Sequence, residues 1–278
     1  MTPNSYVRKT VESLFIYLIF SAACTNNTEK DNTVTTTSDD NSPALINYRV
    51  VKVFPHDTTA YTEGFLVHNG SLFEATGHTS AYPSSRSLFG IVNLSNGNID
   101  KNVEINKDKY FGEGIAFVKN KIYQLTLTRI GFIYDEKSYK KIGSFNYVGE
   151  GWGLTTNGAD LLMTNGSSNI YYRDPATFAI IKTLGVRDNN GPVQNLNELE
   201  LIRGYLYANQ WQTDYILKID TTTGMVLGKL DLSKLKTEAK DKYPSAEETN
   251  GIAYDSVANK IYVTGKLWPT IYEIQFDH

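Results

Sequence analysis

The chain has 278 residues, of which 41% are hydrophobic, and a formal net charge of −3. That length supports one or two globular domains with ample material for a core. The mildly acidic balance, with no basic stripe, argues against a nucleic-acid partner, and the 19 tyrosines favour strands over helices.

Arg8 and Lys9 precede an apolar run from Leu14 to Ala23, which ends in Ser21-Ala22-Ala23-Cys24. A charged start, a short apolar segment and small residues read as a secretory signal over residues 1–24. The run is short for a membrane-spanning helix. Cys24 is the single cysteine. Its place after two alanines resembles a bacterial lipoprotein signal, in which that cysteine is lipidated and becomes the new N-terminus. Ser21 stands where Leu is usual. The other reading is an ordinary cleaved signal that contains a cysteine. In both cases no disulfide framework and no cysteine nucleophile remain. The expectation is an exported protein of the bacterial cell envelope, facing the periplasm, whose only membrane contact is the lipid on Cys24. Residues 25–43 are rich in Asn, Thr, Ser and Asp and predict a flexible tether. The folded domain is expected over 44–278.

Tyr61-Thr62-Glu63-Gly64-Phe65 reads as the start of a strand, Asn69-Gly70 as a tight turn, and Ser71 to Gly77 as a second strand with Glu74 near its end. The pattern returns at Gly112-Glu113-Gly114-Ile115, Gly151-Trp152-Gly153-Leu154, Leu196-Asn197-Glu198-Leu199 and Thr249-Asn250-Gly251-Ile252. Turns follow at Asn120-Lys121, Asn157-Gly158, Arg203-Gly204 and Asn259-Lys260. The period is roughly 47 residues, within the ~40–50 of propeller blades. Each unit has a third strand, and in three of them an aspartate (Asp135, Asp174, Asp220) leads into a fourth. The last unit stops at Phe276 without a fourth strand, while an unassigned strand, Tyr48–Phe54, stands at the other end. Closure by that N-terminal strand removes the open edges. The predicted fold is therefore all-β, a five-bladed β-propeller. A β-sandwich or a six-bladed ring are the alternatives. Helix signals are scarce; Leu232–Ala239 and Ser245–Glu248 are expected as short turns in a loop before the last blade.

Inner and second strands run antiparallel, so the start of one and the end of the other share a rim. That places Tyr61, Glu63, Glu74, Glu113, Leu127, Trp152, Asn165, Asn197, Glu198, Trp211, Asn250, Lys266 and Trp268 around one mouth. A polar cavity with aromatic walls is the form ligand sites take. Bland roles stand beside these. Glu113 and Glu198 could bond a neighbouring blade, Asn250 could shape a turn, Trp152 and Trp211 could be core, and Lys266 could be solvated. Glu74 is the one charge in an otherwise apolar strand. The four histidines have no zinc spacing. No Gly-x-Ser-x-Gly elbow occurs, and Gly149-x-Gly151-x-Gly153 lacks the context of a phosphate loop. No metal and no cofactor are expected. Chemistry would rest on carboxylate, lysine and amide groups.

At these residues the chain resembles the glutamine cyclotransferases, the plant and bacterial glutaminyl cyclases, from about Tyr48 to Phe276. The markers are Phe73-Glu74-Ala75-Thr76-Gly77, Tyr110-Phe111-Gly112-Glu113-Gly114, Gly151-Trp152-Gly153-Leu154 and Leu196-Asn197-Glu198-Leu199-Glu200. Further markers are Ala208-Asn209-Gln210-Trp211, Asn250-Gly251-Ile252-Ala253 and Val263-Thr264-Gly265-Lys266-Leu267-Trp268-Pro269. The resemblance implies a five-bladed propeller that cyclises the N-terminal glutamine of peptides or proteins to pyroglutamate, releasing ammonia, and acts as a monomer. By analogy the catalytic carboxylate falls on Glu74, and Asn197, Trp211 and Lys266 fall on substrate positions. Tyr61 and Trp152 complete the expected substrate walls. Glu63 stands where the family often has Gln, and Leu127 where it often has Trp. Glu63 is expected to touch the substrate amine. Two other classes fit the same mouth: a non-catalytic propeller that binds peptide or glycan, and a glycoside hydrolase with Glu63 and Glu74 as its carboxylate pair.

Overall fold

Every repeat forms a four-stranded antiparallel sheet. The computed structural model describes residues 42–127 and 129–278. The signal with Cys24, and all but the end of the tether, lie outside the described residues.

Strand β1 (Arg49–Pro55) comes first. Blade one holds β2 (Thr62–His68), β3 (Ser71–Thr76), β4 (Leu88–Val92) and β5 (Ile99–Glu104). Blade two holds β6 (Gly112–Val118), β7 (Lys121–Thr126), β8 (Ile130–Asp135) and β9 (Lys141–Asn146). Blade three holds β10 (Leu154–Thr156), β11 (Leu161–Met163), β12 (Asn169–Arg173) and β13 (Ile180–Gly185). A small hairpin of β14 (Arg187–Asp188) and β15 (Gly191–Pro192) leads to blade four, with β16 (Leu196–Ile202), β17 (Tyr205–Gln210), β18 (Tyr215–Asp220) and β19 (Val226–Asp231). After helix α1 (Ser233–Lys242), blade five holds β20 (Thr249–Asp255), β21 (Lys260–Gly265) and β22 (Thr270–Gln275). Its fourth strand is β1, which pairs with β22 from Arg49 opposite Gln275 to Pro55 opposite Thr270. The inner strands β2, β6, β10, β16 and β20 touch in cyclic order and return to β2. The protein is a five-bladed β-propeller closed by its N-terminal strand, which excludes the sandwich and the six-bladed ring.

Local chemistry fixes the hairpins. Asn69-Gly70 and Arg203-Gly204 have left-handed φ at both residues (49° and 75°, 47° and 87°), the requirement of the tight turn that matches strand twist. In blade two the left-handed pair is Lys119-Asn120, with Lys121 already in β7, one residue earlier than the sequence suggested. Asp135, Asp174 and Asp220 each accept the backbone N–H three residues on, closing the turn into the fourth strand. Residues 245–248 are not helical, whereas α1 runs on to Lys242 because Leu235 and Ala239 bury against Trp268 and Tyr272.

Strand side chains alternate between the two faces of a sheet, and both faces of a blade meet a neighbour. The apolar residues therefore form interblade cores. Phe54, Phe65, Leu72 and Ile271, for example, seal blade five to blade one. Only residues that escape this alternation can reach the axial mouth, and they are the ones that matter for function.

Candidate active site

The escape is a bulge at the start of four of the five inner strands. Ladder registers shift between Thr62 and Gly64, Gly112 and Ile115, Leu196 and Leu199, and Thr249 and Ile252. In blade three, Trp152 and Gly153 precede the first paired residue, Leu154. A bulge re-aims side chains away from the pleat. The second residue of each repeat, namely Glu63, Glu113, Trp152, Asn197 and Asn250, is thereby released from the blade faces. The third residue lies where the inner strands converge. At Gly114 and Gly153 an added Cβ would stand 2.5 Å from Leu154 N and 2.4 Å from Asn197 O. Blade four alone carries a side chain there. The Glu198 carboxylate accepts Phe65 N–H (3.3 Å), Ile252 N–H (2.8 Å) and the Asn209 amide (3.2 Å). Burial raises Glu198 to about 8. Its role is to join blades, the bland reading of the sequence.

Four of the five released residues line a cavity of about 300 Å³ at the mouth: Glu63, Glu113, Trp152 and Asn197. Tyr61, Trp211 and Lys266, also expected, complete the polar and aromatic wall, with Leu127 at its edge. Asn250 stops one layer back, donating to Thr62 O (2.9 Å) and the Glu63 carboxylate (3.1 Å). Lys266 reaches inward from a turn whose next residue, Leu267, has a φ of 61°. Its Nζ donates to Glu63 Oε1 at 2.7 Å and lies 4.5 Å from the Tyr61 ring centre. Burial, the largest single influence, lowers Lys266, but the charge and hydrogen bond of Glu63 together with the charges of Tyr61 and Glu113 outweigh it and hold the ammonium above its ordinary range. Burial raises Glu63 to about 7 against the pull of Lys266.

Glu113 differs from Glu63. It is 4% exposed, lines the cavity and has no hydrogen-bond partner among the described residues. Burial first, and the Glu63 charge second, raise it well above its ordinary carboxylate range. The Asn197 side-chain oxygen is likewise buried and unpartnered. Trp152 and Trp211 meet edge to face at 5.5 Å, and Trp152 Nε1 donates to Glu150 at 2.9 Å.

Glu74 does not reach the cavity. It sits inside the regular ladder opposite Phe65, so its side chain turns to a blade face. There it is fully buried against His56 Nε2 (2.9 and 3.1 Å) and accepts from the Thr62 hydroxyl at 2.7 Å. His56 Nδ1 in turn donates to Trp268 O at 2.7 Å, clamping the turn that carries Lys266. The expectation that Glu74 is the cavity carboxylate fails for this reason, and so does a Glu63–Glu74 glycosidase pair. Trp268 is also displaced from the mouth: it is fully buried, its Nε1 donating to Glu247 O at 3.0 Å. Thr79, Phe111 and Glu150 line the cavity without having been singled out as mouth residues. Phe111 stands inside a quoted marker. Thr79 and Glu150 lie in loops without periodicity, where sequence carries no directional signal.

The sequence model of the glutamine cyclotransferase family matches residues 17–276. The chain belongs to that family. It is 38% identical over 240 residues to the glutaminyl-peptide cyclotransferase of Arabidopsis thaliana, covering 85% of this chain and 73% of that protein. The crystal structure of Myxococcus xanthus glutaminyl cyclase matches with a TM-score of 0.76 at 31% identity, covering 85% of this chain and 99% of that one. In this cyclotransferase family member, then, one buried carboxyl without a hydrogen-bond partner among the described residues, one buried ammonium and two indoles face a single small cavity.

Proposed function

We propose that this chain is a glutaminyl-peptide cyclotransferase, converting N-terminal glutamine to pyroglutamate with release of ammonia, and that Glu113 is its acid–base group. One observation carries the assignment: Glu113 is the one cavity carboxyl that is buried and without a hydrogen-bond partner among the described residues, and burial raises it above its ordinary range. Family membership supplies the reaction class.

The α-amine of a peptide has an ordinary pKa of about 7.7–8, so its neutral form is accessible near neutral pH. It attacks the side-chain amide carbon, and the amide oxygen gains negative charge. Lys266, already held by Glu63, has N–H groups left to stabilise that oxygen. The Glu113 carboxyl gives its proton to the amide nitrogen, which leaves as ammonia. The Glu113 carboxylate then takes the proton shed by the attacking nitrogen, so the residue ends as it began. Asn197 Oδ1 accepts an N–H of the bound glutamine, and Trp152 and Trp211 hold its methylene groups so that nucleophile and carbonyl meet. Glu63 acts as the counter-ion that keeps Lys266 in place.

Incubation with a glutamine-initiated peptide, read by mass spectrometry and an ammonia assay, tests the activity. Binding without ammonia loss would favour the non-catalytic reading and refute ours. The charged start, the apolar run and Cys24 support export with lipid anchoring. Lipid labelling of the full chain against Cys24→Ser tests that.

A further inference from the structure

The glycine run Gly149-x-Gly151-x-Gly153 finds its use at the mouth. Gly149 turns the chain with a φ of 82°, a conformation open to glycine at no steric cost. An added Cβ at Gly151 would stand 3.0 Å from the Tyr147 hydroxyl, and one at Gly153 would stand 2.4 Å from Asn197 O. Gly151 and Gly153 are therefore packed into the ring, while the residues between the glycines, Glu150 and Trp152, line the cavity.

The Trp152 backbone is fixed: its N–H donates to Thr164 O (3.0 Å) and its carbonyl accepts from Gly114 N–H (2.9 Å). Those bonds do not fix the ring. The six-membered ring packs on Gly166, where an added Cβ would come 2.4 Å from it, and Trp211 meets the indole edge to face at 5.5 Å. The χ2 torsion of Trp is broad and roughly two-fold, so such packing leaves the direction of Nε1 open. Glu150 settles it by accepting Nε1–H at 2.9 Å. Glu150 is exposed and forms no ion pair among the described residues. Resting on the cyclotransferase reading, we propose that Glu150 is a positioning residue, whose carboxylate sets the Trp152 indole against Trp211 before the glutamine side chain enters. A preset wall spares the cost of ordering the indole when substrate binds. That cost falls on the bound substrate and the transition state alike, so its loss should appear in KM and not in kcat.

The test compares Glu150→Ala with Glu150→Gln in the full chain. Glutamine keeps an acceptor oxygen for Nε1–H. Both variants remove the charge that acts on Glu113, so the difference between them reports the hydrogen bond. For Gln-Ala-Gly amide, Glu150→Ala should raise KM by about three- to tenfold, the scale of one immobilised side chain, with kcat close to that of Glu150→Gln. Glu150→Gln should bring KM back towards the parent value. Two indoles in edge-to-face contact couple their transitions and give a paired far-ultraviolet circular-dichroism band. That band should weaken in Glu150→Ala and persist in Glu150→Gln. Alanine and glutamine variants that match in both KM and dichroism would overturn the positioning role, as would a Glu150→Ala variant with parental values of both. A parent that cyclises no glutamine peptide would sink the activity instead, and the dichroism of the two variants would still decide whether Glu150 sets the indole.

Discussion

Two glutamates separate chemistry from architecture. Glu113→Gln and Glu74→Gln are both near-isosteric, yet they should fail in opposite ways. Burial raises Glu113 well above its ordinary range, and it bonds nothing among the described residues. An amide fills the same space without loss of a contact, so the melting temperature should hold or rise. Turnover should fall by about 10²–10⁴, the usual contribution of a positioned acid–base group. Glu74 is the reverse. Its carboxylate faces a fully buried imidazole, which burial would push down but Glu74 holds above its ordinary range. Removing one partner of a buried pair costs roughly 3–5 kcal/mol, reduced where His56 escapes by losing its proton. At about 2–4 °C per kcal/mol for a domain of this size, the melting temperature should drop by ~5–15 °C. Measured below that transition, kcat should stay within about tenfold of the parent, because nothing that faces the substrate has changed. Calorimetry and a continuous ammonia assay on both variants decide the matter. If Glu74→Gln abolished turnover with an unchanged melting temperature, or Glu113→Gln kept near-parental activity, the assignment made from cavity geometry would be wrong.

Lys266→Met should lower kcat by about 10²–10³, the loss typical of one oxyanion donor, and an ammonia assay at saturating peptide reads it. Glu198 is raised by burial to about 8 from an ordinary 4.5, so the folded state binds its proton more tightly than the unfolded chain does. Stability from this group is complete below about pH 4.5 and is lost as pH rises towards 8, on the order of 4 kcal/mol across that window. Glu198→Gln should flatten that slope in urea titrations run at several pH values, and an unchanged slope would refute it. Gly153→Ala places a methyl 2.4 Å from Asn197 O. Overpacking of this kind costs about 1–3 kcal/mol, and by separating Trp152 from Asn197 it should lower activity as well as the melting temperature. A stable variant with weakened activity would also fit the bulge geometry, whereas full activity would not.

The architecture was legible because it is written in short-range chemistry that repeats. Asn69-Gly70 and Arg203-Gly204 demand left-handed turns, strands follow on both sides, and a missing fourth strand at one end matches a spare strand at the other. Most of the cavity was legible for the same reason, since Glu63, Trp152 and Asn197 share one position in the repeat. The step that failed was choosing among the carboxylates. Glu74 stands out in sequence as a charge within an apolar strand, but an unusual residue in a regular ladder points to a buried partner and not to solvent. The partner is His56, eighteen positions earlier, in the segment after β1, which the closure of the ring brings beside blade one. No periodicity announces that meeting. Glu113 looked ordinary because Glu-Gly before an inner strand also describes a blade-joining residue, the role Glu198 takes one position later in its repeat. What distinguishes them is the bulge. The second residue of a repeat is turned out to the mouth and the third in to the axis, where Glu198 meets the Phe65 and Ile252 amides. Function in this ring therefore depends on position within the bulge as much as on residue type. A carboxyl moved one residue along the chain would change from an acid for the substrate into a brace between blades.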